Sequence, residues 1–492
     1  LVAVLMLMGL TVSAEAGDAV LPDPIPDNLT WRGVTVYGTI DLGYAYQTHG
    51  VPLGGSFYPG LEYTINGSRN ANKPISSIAE SAREQSKAGI KIEETIAEGW
   101  KFIGKAEAAF QPLSGEIADA CASMVANSGK PLTVQSANSD GSRCGQAFSG
   151  PAFVGLSSAT YGTITLGRNQ SLELDAIGVY DPMGLPYAFS LIGYSGGTAS
   201  GFGNTETGRW DNSAKYVYQS GPVHAAALYT GGGQETAMFG GGYSFNAGAS
   251  YNGFSADAVY ARVHSAVSST TIGYATSGAA GTCNATGVGG GNTCPSGNLL
   301  NGVATDGEGW SVMGKYTYSF GEGKDPASKL SVFAGYVHSQ LTNPGDPVGA
   351  GARTIGGYGY FYLNNTPYAE GSSRILQTAW TGAKYQLPSG ISFTAAYYRY
   401  MQAAYLTGAV AGHNTCAYIS AANKANASFA GFPTASNCVG EVNEGAFLID
   451  YPLNKHFDVY SGVSYSVNAG GLSSGYLNNN MTTFASGFRL RF

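Results

Sequence analysis

The sequence predicts an all-β fold, a transmembrane antiparallel β-barrel of about sixteen strands, and three observations carry that expectation. Apolar and polar residues alternate with a period of two over about ten residues at a time, as a strand between lipid and water requires. The connections alternate sharply between short turns and long loops. After the first residues, no apolar stretch approaches the roughly 20 residues that a membrane-crossing helix needs. Any spanning elements must therefore be strands closed into a barrel, because lipid offers an open sheet edge no hydrogen-bond partners.

The chain opens on an apolar run, Leu1 to Val12, followed by Ser13, Ala14, Glu15 and Ala16, a small-residue cleavage pattern. Residues 1–16 are expected to be a signal peptide whose start is missing, 17–32 a short N-terminal periplasmic lead, and 33–492 a single barrel domain. No Pro-rich or charged linker divides that last stretch.

In the first strand, Val34, Val36, Ile40, Leu42 and Tyr44 share one face while Thr35, Thr39 and Asp41 share the other. Trp100, Phe102, Ala106 and Phe110 likewise stand opposite Lys101, Lys105 and Glu107. The last strand sets Phe484, Phe488, Leu490 and Phe492 against Arg489 and Arg491. Similar segments recur at 85–94, 151–158, 162–169, 212–219, 222–230, 242–251, 254–264, 309–320, 329–340, 375–387, 391–402, 441–451 and 457–467. An even strand number brings both termini to one rim.

Short turns include Asn252-Gly253, a strong hairpin dipeptide, Leu387 to Gly390, and Ser158 to Tyr161. Between them lie long segments at 48–84, 111–150, 170–210, 266–308, 342–373, 405–439 and 468–480. If strands run up and down, the long loops fall on the extracellular rim and the short turns on the periplasmic one. A soluble sandwich or propeller accounts neither for this alternation nor for a lipid-like face on nearly every segment.

Composition narrows the function classes. With 72 Gly, 33 Tyr, 21 Phe and only 12% charged residues among 492, the chain is unlike an ordinary α-rich enzyme. A net charge of -7 argues against nucleic acid, whose binders carry a basic stripe. The six cysteines form three local pairs, Cys121 with Cys144, Cys283 with Cys294 and Cys416 with Cys438, each inside one Gly/Ser/Asn-rich segment. In an oxidising compartment they are disulfide candidates that restrict long loops. No Cys-x-x-Cys spacing occurs, and His413 is the one histidine close to a cysteine, so no metal and no cofactor are expected.

Several segments resemble the general porins of Gram-negative bacteria, over nearly all of Gly33 to Phe492. The run from Val34 to Gly43 resembles their first strand. Gly167-Arg168-Asn169 with Asp175-Ala176-Ile177-Gly178 and Asp181 resembles the end of the fifth strand and the start of the third loop. Arg209 to Tyr216 looks like the sixth strand, and Gly487 to Phe492 like the closing one. The resemblance implies a homotrimer of sixteen-stranded barrels in the outer membrane, among outer-membrane lipid and lipopolysaccharide. It also implies a water-filled channel for passive diffusion of small hydrophilic solutes, with the third loop, here 170–210, folded into the lumen. The terminal Phe492 is then the signal read by the barrel-insertion machinery.

Such a pore selects by width and by charges facing each other at its narrowest point. Alternation turns Lys87, Lys91 and Glu93 inward, with Lys101 and Lys105 on the adjacent strand; with Arg168 these cations are the expected constriction wall. Glu173, Asp175 and Asp181 are the expected loop acids, and Asp181 matches the family's acidic position. Tyr187 stands where many members carry a second acid, so it would narrow the opening without charge; Arg209 flanks the loop at its far end.

Two other readings have signals in the sequence. Gly193-Tyr194-Ser195-Gly196-Gly197 and Gly471-Leu472-Ser473-Ser474-Gly475 match Gly-x-Ser-x-Gly, but neither lies in a strand-to-helix elbow, so no enzyme activity is expected. A substrate-specific channel is the stronger rival, with Tyr180, Tyr187 and Tyr194 as a stacking surface for sugars, or with small organic acids as solutes.

Overall fold

A strand in lipid must pair on both edges, so the alternating segments can satisfy their backbones only by closing on themselves. The computed structural model does so, and it describes residues 29–48, 53, 74–119, 146–192, 208–232, 240–269, 299–321, 327–346, 351–355, 358–364, 366–406, 438–473 and 478–492. A short β1 (Thr30–Trp31) leads into β2 (Val34–Gln47), β3 (Ile75–Glu80), β4 (Lys87–Ala97), β5 (Trp100–Ala109), β6 (Ala152–Ser158) and β7 (Gly162–Gln170). Helix α1 (Leu172–Tyr180) follows, then β8 (Arg209–Ser220), β9 (Val223–Thr230), β10 (Gly241–Tyr251), β11 (Phe254–Ser269), β12 (Leu299–Phe320) and β13 (Ser328–Thr342). A loop hairpin, β14 (Gly351–Ile355) and β15 (Tyr358–Asn364), precedes β16 (Arg374–Gln386), β17 (Ser392–Gln402), β18 (Gly440–Pro452), β19 (Phe457–Gly470) and β20 (Asn480–Arg491).

All belong to one sheet, and β2 pairs antiparallel with β20 as well as with β3 and β4, which closes the barrel. Counting β3 and β4 as one interrupted strand and setting aside β1, β14 and β15, sixteen strands line the barrel. Outward residues are apolar and exposed, such as Ile90, Val154, Leu166, Phe245, Val312 and Phe488. Inward ones are small or polar, such as Thr39, Asp41, Thr165, Ser244, Ser311 and Thr378, all buried. The Asn252-Gly253 turn has both residues at positive φ, 48° and 81°, which the twist of a two-residue hairpin demands. The backbone is closed at the seam by Gly38 and Phe492, which exchange N–H···O bonds of 2.9 and 3.1 Å.

The structure differs from the sequence expectation in four segments. The segment read as loop 48–84 contains β3, paired with the upper half of β2. Between β3 and β4, Ser81–Ser86 leaves the sheet and steps into the lumen, with Ser81 at φ 59°. The 170–210 segment contains α1, and the 342–373 segment contains the β14–β15 hairpin, with β15 parallel to the start of β12. A further connection absent from the expected long loops joins β9, which ends at Thr230, to β10, which begins at Gly241.

Candidate functional site

Loop 3 enters the lumen as a short capped helix that packs its apolar residues on the barrel wall. Ser171 is the N-cap, its Oγ accepting from Leu174 N at 3.1 Å. Leu172, Ile177 and Tyr180 are buried where α1 packs against β9 to β13. The C-terminal end is held twice: the Tyr180 hydroxyl donates to Asp257 at 2.5 Å, and Trp380 Nε1 donates to the Tyr180 carbonyl at 3.0 Å.

Asp181 then organises the turn after the helix. Its carboxylate accepts from Met183 N at 3.2 Å, Leu185 N at 2.7 Å, Ser190 Oγ at 2.8 Å and the Tyr398 hydroxyl at 2.6 Å. Burial raises its carboxyl above the ordinary range, and these donors oppose that rise. From there the loop crosses β16 to β19. A Cβ at Gly382 would lie 2.5 Å from Pro182, and one at Gly462 would lie 2.8 Å from Phe189, so glycine is what permits the approach. The Ser464 hydroxyl donates to the Ala188 carbonyl at 2.8 Å.

The inward step 81–86 meets the loop from the opposite side, and Ala188 N donates to the Ala82 carbonyl at 3.0 Å. Asp41, fully buried, holds the step: its carboxylate accepts from Arg83 N at 2.7 Å, Glu84 N at 2.6 Å and the Tyr460 hydroxyl at 2.7 Å. Arg83 forms two bonds to Asp450, of 2.9 and 3.3 Å. Arg489 reaches Glu84 and Asp458, both at 2.9 Å, and Arg491 also reaches Asp458. Lys384 lies on the inner face of β16 in the field of Asp450 as well as of Arg83, Arg489 and Arg491. Together with Lys87, which is 3.0 Å from Glu84, these groups form a dense charged wall of which the sequence nominated Lys87 alone. The inward alternation of Arg489 and Arg491 was the one visible signal of the rest.

The lysines of β4 and β5 fall where alternation places them. Lys91 stands directly opposite Lys105, and Lys87 opposite Ala109, all on the lumen face. Lys101 is inward too but near the short-turn rim, more than half exposed and 3.4 Å from Glu93. Arg168 departs from the expectation of a wall cation. Its guanidinium bonds Asp211 and the carbonyls of Ser149 and Gly150, at 3.2 and 3.1 Å, and it ties the base of the preceding loop to β8. Arg209 opens β8, half-buried, opposite Gln170.

The loop acids require a larger correction. Glu173 is 1% exposed and faces the wall, where Ser311 Oγ donates to it at 2.6 Å. It borders a cavity of about 10 Å³ with Trp210, Ser244 and Val263, room for one water. Burial pushes its carboxyl well above the ordinary range. Asp181 is 3% exposed and Tyr187 8%, both consumed in the packing of the loop, so neither opens onto the lumen. Asp175 alone among these acids is substantially exposed, and it pairs with Lys215 of β8. The reason is helical spacing: Glu173, Ile177 and Tyr180 share the face turned to the wall, while Asp175 and Val179 lie on the opposite side.

Cys438 is disulfide-bonded. Cys121, Cys144, Cys283, Cys294 and Cys416, like Ser195 and Tyr194, lie outside the described residues, as do residues 1–28 with the expected signal peptide. Ser473 ends a three-residue 3-10 turn after β19, not a strand-to-α-helix elbow.

Comparison with known proteins bears on this architecture. Residues 2–362 match the family model described as Gram-negative porin. Among solved structures, the anion-selective porin from Comamonas acidovorans superposes with a TM-score of 0.53 at 15% identity, covering 93% of this chain and 99% of that one. The in-vitro folded OmpT, an outer membrane protein of Vibrio cholerae, gives 0.52 at 13%, covering 95% and 100%. At such identities these likenesses speak for the fold. No curated protein sequence matches.

Proposed function

This chain belongs to the Gram-negative porin family and forms an outer-membrane channel for passive diffusion, and from that premise we propose a general-diffusion pore whose selectivity leans weakly toward anions. One observation carries the reading. The loop acids are withdrawn, Glu173 and Asp181 into packing and Asp175 onto Lys215, whereas Lys91, Lys315 and Lys384 have no carboxylate within ion-pair distance among the described residues. Lys87, Lys91, Lys105, Lys384 and Arg491 then form the solute-facing wall, backed by Arg83 and Arg489, which are buried and paired with Asp450, Glu84 and Asp458. A positive wall in a narrow, water-poor section concentrates anions and repels cations.

The test is single-channel recording of purified protein in a KCl gradient. A reversal potential favouring chloride is expected; one favouring potassium, or no open ohmic pore, would overturn the reading. A sugar-specific channel has less support, because Tyr180 and Tyr187 are both buried and offer no stacking surface.

The homotrimer, contact with lipopolysaccharide and recognition of Phe492 by the insertion machinery belong to the same proposal. Ala88, Gly104, Ala106 and Ala108 face outward on β4 and β5 beside Ile90 and Ile92, an apolar surface suited to packing protomers. The Phe492 ring lies against Gly38, where a Cβ would approach it to 2.5 Å, at the short-turn rim. Unheated protein running at trimer mass on a denaturing gel is the expected result.

A further inference from the structure

Loop 3 and the inward step cover the lumen face of β9 to β13 and of β16 to β19. Among the described residues neither covers the inner face of β4 to β6, and that face is not uniformly polar. Register places Lys91, Lys105 and Phe153 in one row across these three strands, all on the lumen side. Ile103 follows Lys105 on the same face of β5. Phe153 and Ile103 are both partly exposed there, although an indifferent aqueous passage has no use for either side chain.

The two ammonium groups converge. Lys91 Nζ lies 4.7 Å and Lys105 Nζ 5.5 Å from the centre of the same Tyr37 ring. That ring crosses Gly89, where a Cβ would come within 2.6 Å of its oxygen, and its hydroxyl donates to Glu107 at 3.0 Å. Lys105 also faces Glu107 at 3.3 Å, whereas among the described residues Lys91 pairs with no carboxylate and lies over the ring. On the other flank, Gly167 stands directly opposite Phe153 and Gly155 lies two residues along its strand, so no side chain from either covers the Phe153 ring.

We propose that this row is a binding subsite for aromatic monocarboxylates, with the carboxylate between Lys91 and Lys105 and the ring laid on Phe153 against Ile103. Two convergent ammonium groups supply charge-assisted hydrogen bonds to one carboxylate. Phe153 supplies an offset aromatic contact beside Gly167, whose lack of a side chain leaves that flank of the ring open. Glu107 beside Lys105 sets the charge of the ligand: a second carboxylate on the solute would meet it, so monoanions are preferred over dianions. The inference rests on the reading of the β4–β5 lysines as solute-facing, and deepens it from an ion preference to a solute class.

The experiment uses the purified full-length protein in planar bilayers, with benzoate as probe and acetate and benzyl alcohol as controls. Benzoate is expected to reduce the KCl current saturably, while acetate and benzyl alcohol produce no saturable block. Lys91→Gln with Lys105→Gln, and separately Phe153→Leu, which keeps the bulk but removes the ring, should each raise the half-blocking concentration about tenfold. A block that never saturates, or one unchanged in Phe153→Leu, overturns the subsite. The KCl reversal potential without benzoate reads the ion preference separately. Chloride preference without benzoate saturation removes this inference alone. Benzoate saturation without chloride preference removes the selectivity reading and leaves the subsite standing.

Discussion

The Tyr398 hydroxyl lies 2.6 Å from Asp181 Oδ1 and joins β17 to the inserted loop across 217 positions of sequence. Asp181 occupies the position that resemblance assigned to the eyelet acid, yet its four donors come from the loop itself and from the wall. It is the fastener of the constriction and not its charge. Asp181→Ala should therefore loosen the loop, removing bonds worth roughly 1.5–3 kcal/mol each to a charged acceptor. The expected result is a lower melting temperature together with noisier open-channel current. Tyr398→Phe removes one of the four bonds and should fall between this variant and wild type. An unchanged melt in Asp181→Ala would remove the fastening role.

Glu173 gives the loop a pH dependence of predictable sign. Burial raises its carboxyl well above its ordinary value, and the Ser311 hydroxyl only partly offsets this. A carboxyl raised on folding favours the docked loop when protonated. Its stabilising contribution is complete below the unfolded value of about 4.3 and is lost as pH rises through the raised value. Melting temperature should thus decline with pH over that window in the wild type, and Glu173→Gln should flatten the decline. Parallel pH profiles for the two proteins would contradict it.

What was legible in the sequence follows from what period-two alternation can reach. It put Lys87, Lys91 and Lys105 on the inner face without reference to any partner, because side-chain direction in a strand is a local property. Arg83 escaped for the opposite reason: Ser81–Ser86 breaks the alternation, and its direction is set by Asp41 and Asp450, residues far away in the chain. The burial of Glu173 and the exposure of Asp175 depended on a helix of two turns hidden in a segment read as irregular. Asp41 and Arg489 were each legible as inward residues. That they are register partners follows only from barrel closure, which pairs the first strand with the last.

Asp41 should be the least replaceable polar residue of the inner wall. Its carboxylate fixes two consecutive amides of the inward step and the Tyr460 hydroxyl, with no solvent to substitute. Asp41→Ala leaves those donors unsatisfied, at about 1–3 kcal/mol for each buried group, and frees the segment that carries Arg83 and Glu84. Lower thermal stability and a shifted reversal potential should appear together. Asp41→Asn retains an acceptor for the two amides and should recover most of the stability. Wild-type stability and selectivity in Asp41→Ala would show that the step is held by other contacts.

The four lysines of β4 and β5 should be unequal, and their inequality tests the wall more sharply than replacing them together. Lys101 lies near the short-turn rim, exposed and beside Glu93, where screening by water and salt leaves an ion pair little influence. Lys91 faces the lumen over the Tyr37 ring, with no carboxylate in ion-pair reach among the described residues. A unit charge about 4 Å from a passing ion contributes about 1 kcal/mol even in water, which corresponds to roughly a fivefold change in relative permeability. Lys91→Gln should accordingly lower the chloride-to-potassium ratio by up to that factor in a KCl gradient, while Lys101→Gln should leave the reversal potential where it was. Lys105→Gln should fall between them, since the charge it removes is already partly offset by Glu107. Equal shifts from Lys91→Gln and Lys101→Gln would mean that the field is set by the summed charge of the lumen and not by this row.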